Sequence, residues 1–340
     1  MLRQTAMHWL ARGAVVLTAL VAAQPVLAQE DFYAGKTIEL VIGFAPGGGN
    51  DLLSRVVSNH LGDHIPGKPT IVPINLPGAG GLAAANQLYN TSPQDGTVIG
   101  IVSQAVPLQS KMIDNVEFEM SGFNFIGRVQ PSTSVTMVWN TSDVKDIQQA
   151  MKEEVILSAT NVGSSISLYP RAMNQFLGTK FKLIMGYEGS AAGMLAMERG
   201  EAEGHSTTFE ALMAANPTWF KEGTVRILVQ HALKRDPVLP DVPTSVELAS
   251  EENRPVMELI MSSNDIGKYY FTTPGIPNDR LEILRRAFDA MVKDPAFLKD
   301  AAAIGATVNP MSGEDLQEMI ARFDKIDPAL LAKAKAVYGE

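Results

Sequence analysis

The sequence predicts an α/β fold with a largely parallel sheet, on three observations. Short apolar runs rich in β-branched residues alternate with segments of helical apolar period. Glycine-rich turns stand between the first runs and the helices that follow them. The length of 340 residues, with 46% hydrophobic and 19% charged residues, suits a globular chain of about two domains.

Residues 1–28 have the layout of a secretory signal peptide. Arg3 and Arg12 make a positive start without an acid, Gly13 to Ala23 is apolar, and Val26-Leu27-Ala28 precedes a cleavage point. The alternative, a membrane anchor, fits less well because Gln24 and Pro25 break a short apolar run. Removal of the segment moves the net charge from −9 to −11. An acidic, cysteine-free, exported chain is expected to be periplasmic.

Thr37–Phe44 reads as a buried strand, Ala45–Asn50 (APGGGN) as a turn, and Asp51–His64 as a helix with Leu52, Leu53, Val56, Val57 and Leu61 on one face. Thr70–Asn75 is a second strand, which Pro73 places at an edge. Leu76–Gly81 (LPGAGG) is a second glycine turn, followed by a helix over Leu82–Tyr89 and a third strand over Thr97–Ser103. A second block has strands at Ser134–Trp139, Val155–Thr160, Lys182–Met185 and Val225–His231. Its helices are Ala191–Arg199 and Ser165–Leu177, the latter expected to be interrupted at Pro170. After a proline-rich crossing at Asp236–Pro243 come a strand at Tyr270–Thr273, a helix at Asn278–Lys293 opened by Pro277, and a helix through Gly313–Phe323.

The two glycine turns carry the chemistry. A helix N-terminus offers unpaired amide N–H groups and a partial positive charge, and glycine lets a ligand approach the backbone. Two such turns in consecutive strand–turn–helix units can face one carboxylate or phosphate. Asp51, at the helix start, is expected to act as its N-cap rather than touch an anion that it would repel. Asn50 is the better contact. A third helix start, Asn161-Val162-Gly163-Ser164-Ser165, offers hydroxyls that either cap the helix or reach a ligand. In Gly186–Ser190, Tyr187 either lines the cleft or packs. A ligand held by both blocks would lie between them.

Other chemistries find no support in the residues. The absence of cysteine removes disulfides, thiolate metal sites and a thiol nucleophile. No basic cluster suits nucleic acid. No Gly-Lys-Ser/Thr follows the glycines, and Gly47-Gly48-Gly49 misses the G-x-G-x-x-G spacing. His60 and His64 lack the glutamate of a zinc helix, and Gly189-Ser190-Ala191-Ala192-Gly193 misses the hydrolase register by one residue. No catalytic set, metal or cofactor is expected.

The order Lys36–Val41, APGGGND, LPGAGG, Pro93-Gln94-Asp95-Gly96, GYEG, GEAEG, LPDVPT and PGIP resembles the extracytoplasmic solute-binding receptors of the tripartite tricarboxylate transporter system, the TctC or Bug type. The resemblance runs from about Gly35 to Phe323. It implies a type II periplasmic binding protein fold: two α/β lobes, a crossover hinge and an interlobe ligand cleft. Lobe one would be residues 30–131 plus 233–340, and lobe two residues 132–232. It implies a small organic carboxylate as ligand (a di-, tri- or aromatic acid), captured by a monomer and delivered to a membrane permease with large and small subunits. It places Pro46, Gly47, Gly48, Gly49, Asn50 and Asp51 with Pro77, Gly78, Ala79 and Gly80 around one ligand carboxylate. Ser103, Gln104, Gly163, Ser164, Ser165, Tyr187 and Thr207 complete the candidate ligand-binding set.

The chain departs from the family pattern at Asn50, where Ser or Thr is usual, at Glu188, where the family is basic, and at Thr207, where an acid is common. The last departure disfavours an amino-acid ligand, whose ammonium would want a carboxylate partner. An enzyme of small organic acids using the same anion cradle, and a ligand-sensing partner of a signalling receptor, are the alternative functions.

Overall fold

Two mixed β-sheets organise the chain. The structure, a computed structural model, describes residues 32–114 and 116–338; the signal peptide read over residues 1–28 lies outside the described residues. The strands are β1 (Thr37–Ile42), β2 (Thr70–Asn75), β3 (Val98–Ile101), β4 (Asn124–Gln130), β5 (Ser134–Trp139), β6 (Val155–Ser158), β7 (Phe181–Ile184), β8 (Gly204–Thr208), β9 (Val225–His231), β10 (Lys268–Thr272) and β11 (Met311–Ser312). The first sheet has the order β11-β4-β10-β3-β1-β2, the second β7-β6-β8-β5-β9. Pro73 does lie on an edge strand, where its missing N–H leaves no ladder bond unmade.

The expectation of a largely parallel sheet needs correction. β1 runs parallel to β2 and β3, but β10 runs antiparallel to both β3 and β4. Likewise β6 is parallel to β7 and β8, whereas β5 is antiparallel to β8 and β9. Parallel neighbours need a crossover of a dozen or more residues. The link from β4 to β5 is only residues 131–133. The chain therefore enters the second sheet from the edge at which it left the first, and β10 returns the same way.

Alternation along β1 explains the layers. Ile38, Leu40 and Ile42 join one apolar core with Ile99, Ile101 and Tyr270, while Val41 faces another with Val98, Phe125 and Phe271. A third core packs Val135, Met137 and Ile227 against Met194 and Leu212. Each such side chain contributes about 1.5–3 kcal/mol by leaving water. β4 escaped the sequence reading because Gly127, Arg128 and Gln130 dilute its apolar run. Gly127 is required there: a Cβ would lie 2.4 Å from the Phe288 ring.

Pro170 does not interrupt its helix, which runs unbroken over Ser165–Leu177. Leu168, Tyr169, Ala172 and Met173 are fully buried, and that packing offsets the roughly 3 kcal/mol penalty of an interior proline. Both links between the sheets run along one edge. Asn264 ties them: its Oδ1 accepts from Ser134 Oγ (2.7 Å), its Nδ2 donates to the His231 carbonyl (2.8 Å), and its carbonyl accepts from Ser132 N (3.0 Å). Among the described residues no helix is long and apolar enough to cross a membrane.

Candidate functional site: a cleft walled by helix N-termini

A cavity of about 320 Å³ opens at the edge where β1, β2, β3, β6, β7 and β8 end. In open α/β sheets this carboxyl edge is where ligands bind, because each following helix points its N-terminus there. The volume is at the small end of the roughly 300–1,000 Å³ range of small-molecule sites.

Three helices begin at its wall: Gly49–His60, Ser165–Leu177 and Ser190–Glu198. Gly78 and Gly80, just before the Leu82–Asn90 helix, add a fourth segment. Gly48, Ser164 and Gly189 occupy the three N-cap positions, and at none does a side chain cap the helix. Side-chain caps occur at Asp146, Asp294, Ser312 and Asp327 and, on the cavity wall itself, at Thr208, while the helices starting at Val106, Arg254 and Asn278 also lack one. The first-turn amides at the cavity thus remain available to an anion. Ser164 could cap and does not. Its Oγ accepts from Thr160 Oγ1 (2.6 Å) and donates to the Asn161 carbonyl (3.0 Å).

Of the residues expected at the site, Pro46, Gly48, Gly49, Asn50, Pro77, Gly78, Gly80, Ser103, Gln104, Ser164, Ser165 and Thr207 line the cavity. Five do not. Gly47 lies in the first loop and Asp51 in the helix after it, and neither lines the cavity. Asp51 is neither an N-cap nor a lining residue: it is 2% exposed and inside the helix. Its Oδ2 accepts from Gly47 N (2.9 Å) and Arg55 Nε (3.0 Å), and its Oδ1 from Asn75 Nδ2 (2.8 Å) and Arg55 Nη2 (3.0 Å). Asn75 Nδ2 also donates to the Phe44 carbonyl (3.0 Å), so one carboxylate fastens the ends of β1 and β2 to the loop between them. Burial alone would raise the Asp51 pKa, but the hydrogen bonds from Arg55, Gly47 and Asn75 outweigh it and hold the carboxyl below its usual range.

Ala79 and Gly163 meet each other instead of the cavity: a Cβ on Gly163 would lie 2.6 Å from the Ala79 carbonyl oxygen. Tyr187 also misses the cavity, because its hydroxyl turns away to donate to Glu201 Oε2 (3.4 Å).

The sequence reading did not place Thr160, Asn161, Glu188, Ser190, Thr208 and Lys268 on the wall. Ser190 and Thr207 form a polar chain. Their hydroxyl oxygens are 2.6 Å apart, and Ser190 Oγ lies 3.3 Å from His205 Nε2. His205 Nδ1 faces the Ser158 carbonyl at 3.0 Å, so Nδ1 donates and Nε2 accepts from Ser190. Among the described residues the hydrogen-bond partners of this imidazole are Ser158 and Ser190.

We expect Asp51→Ala to lower stability by about 1.5–3 kcal/mol, the range for hydrogen bonds to a charged group. Urea unfolding of the two proteins measures it. A change under about 0.5 kcal/mol, the level of an ordinary surface substitution, would mean that Asp51 fastens nothing.

Paired sheets joined along one edge, with amide-lined helix starts facing a cavity there, define a two-lobed solute-binding protein. The sequence pattern of the tripartite tricarboxylate transporter family receptor (TctC) matches residues 53–334, and the chain belongs to that family. A UPF0065 protein in the gbd 5′ region of Cupriavidus necator is 29% identical over 265 residues, spanning 71% of this chain and 74% of the relative. The fold matches that of the periplasmic binding protein BugD, with a TM-score of 0.71 at 21% identity, covering 91% of this chain and 99% of that one. It also matches R. palustris Rpa4515 with adipate, with a TM-score of 0.67 at 20% identity, covering 89% and 98%.

Proposed function

We propose that the protein captures a small organic carboxylate in this cleft and delivers it to a membrane permease with large and small subunits. The observation that carries the reading is the set of helix N-termini left without side-chain caps around one cavity. A missing side-chain cap loses about 1 kcal/mol at a helix start. Here it leaves preorganised amide donors for a ligand carboxylate. The adipate in the R. palustris relative supports the same ligand class.

In this reading residues 30–131 plus 233–340 form lobe one and residues 132–232 lobe two, hinged at the links around Asn264. The ligand carboxylate sits on the amides of Gly48, Gly49 and Asn50 with the Gly78–Gly80 segment. Ser164, Ser165 and Thr207 close on it from the other lobe. The protein works as an exported periplasmic monomer, and closure buries the ligand and presents the closed form to the permease.

A thermal-shift screen of refolded protein against mono-, di-, tri- and aromatic carboxylates, with phosphate and amino acids as controls, tests the reading. A ligand at about 100 times its Kd adds roughly 2.7 kcal/mol of stability, which raises the melting point by several degrees. A shift with one class of acid is expected. No shift with any carboxylate overturns the function while leaving the family fold in place. Turnover of the bound acid would instead mark an enzyme.

A further inference from the structure

Among the described residues Lys268 is the one lysine or arginine on the cavity wall, and it is only 3% exposed. It opens β10, and the antiparallel course of that strand brings its first residue to the carboxyl edge of β3. Among the described residues no side chain hydrogen-bonds its ammonium. The opposing charge whose field reaches it is Glu210, on the helix that follows β8, yet Glu210 Oε1 is taken by Thr133 N (3.0 Å) and its Oε2 has no partner among the described residues. The two side chains share a small adjacent void of about 10 Å³ that also touches Gly49 and Gln130.

A buried ammonium without an ion pair is strongly unfavourable, and removing it from water loses several kcal/mol of solvation. Burial pushes the Lys268 pKa down, and the field of Glu210 opposes that shift. A chain that holds a lysine here, near a helix start that already offers amides to an anion, has two kinds of partner for negative charge in one cavity.

We propose that Lys268 receives a second anionic group of the ligand, so that the cleft selects dicarboxylates over monocarboxylates of the same chain length. This rests on the carboxylate reading above, with the first carboxylate on the helix-terminal amides. The second ends at Lys268, whose charge it neutralises when the cleft closes. Glu210, whose own carboxyl pKa burial pushes up, opposes the effect of burial on Lys268 only in part and forms no ion pair with it among the described residues. Glu188 also lines the cavity and is exposed, and its charge disfavours an anion beside it.

Calorimetric titration of the refolded full-length protein with matched acids tests this: succinate against butyrate, glutarate against pentanoate, adipate against hexanoate. The best diacid is expected to bind at least about 30-fold more tightly than its monoacid partner, the lower end for losing one member of a desolvated charge pair. In Lys268→Met that ratio is expected to collapse to within about threefold, and in Lys268→Arg to survive in part. Equal affinity for both members of every pair in the wild-type protein overturns the inference without any variant, and leaves carboxylate capture intact. A Lys268→Met variant that weakens both acids equally assigns the lysine to structure and also overturns it. Failure of every acid, mono or di, overturns the carboxylate reading itself.

Discussion

Replacing Gly80 with alanine is expected to leave a folded protein that binds its ligand markedly less tightly. Gly80 has φ +69°, and a Cβ there would stand 1.8 Å from the carbonyl oxygen of Gly163 and 2.6 Å from its carbonyl carbon. The obstacle is backbone on the facing lobe, which cannot swing aside as a side chain can. The lobes would have to separate at this contact, and the amides of the two sides would no longer reach one ligand together. We expect affinity for the best acid to fall at least about tenfold, equivalent to about 1.4 kcal/mol. Gly178→Ala is the control. Gly178 also has positive φ (+73°), but a Cβ there meets nothing within 4 Å. Both variants carry the left-handed penalty of about 1–2 kcal/mol, and only the first blocks the approach of the lobes. Unchanged binding by Gly80→Ala in calorimetry would separate ligand capture from this contact.

Mild acid is expected to destabilise the protein steeply, through two buried histidines. Burial pushes His205 down to about 4, partly opposed by its hydrogen bond to the Ser158 carbonyl, and pushes His231 down to about 3. Neither ring can take a proton in the folded state near pH 6, while both take one at about 6.5 once unfolded. The stability these neutral rings contribute is therefore complete above about pH 6.5. It is lost as pH falls toward the folded values, by about 1.4 kcal/mol per pH unit for each histidine. By pH 4.5 the two together remove on the order of 5 kcal/mol, a large part of the 5–15 kcal/mol typical of a whole fold. Urea unfolding at half-unit steps from pH 7 to pH 4.5 measures the slope. His205→Gln and His231→Gln should each subtract about one proton from it. A slope that neither variant changes would show that other groups carry the acid lability.

His231 also illustrates what periodicity hides. It ends β9, stacks on Tyr169 with centroids 5.0 Å apart, and places Nε2 2.8 Å from Thr136 Oγ1. In the sequence it is a lone histidine after an apolar run. Its burial depends on the Ser165–Leu177 helix, which the sequence reading broke at Pro170. The break was a local inference from one residue, and the tertiary packing of Tyr169 and its neighbours overrode it.

Asp51 and Tyr187 make the same point at the site. Local rules identify a helix start near Asp51, yet its partner Asn75 comes from the end of β2, and Asn75 in turn bonds the Phe44 carbonyl just past β1. Tyr187 follows a strand in a loop that does reach the cleft, but its ring turns to Glu201 while the next residues line the wall.

The sequence by itself determined the alternation of strand, glycine turn and helix, and with it most of the lining at Pro46, Gly48–Asn50, Pro77, Gly78 and Gly80. Those features are local: a turn needs glycine and a helix exposes its first amides wherever the chain folds. Only the tertiary structure decided which edge each strand enters from. That choice made the sheets mixed and set Ala79 against Gly163. It also carried Lys268, a residue without any local mark, to the wall of the cleft. Strand direction follows from how the two lobes are linked and packed, and such non-local terms leave no period in a sequence.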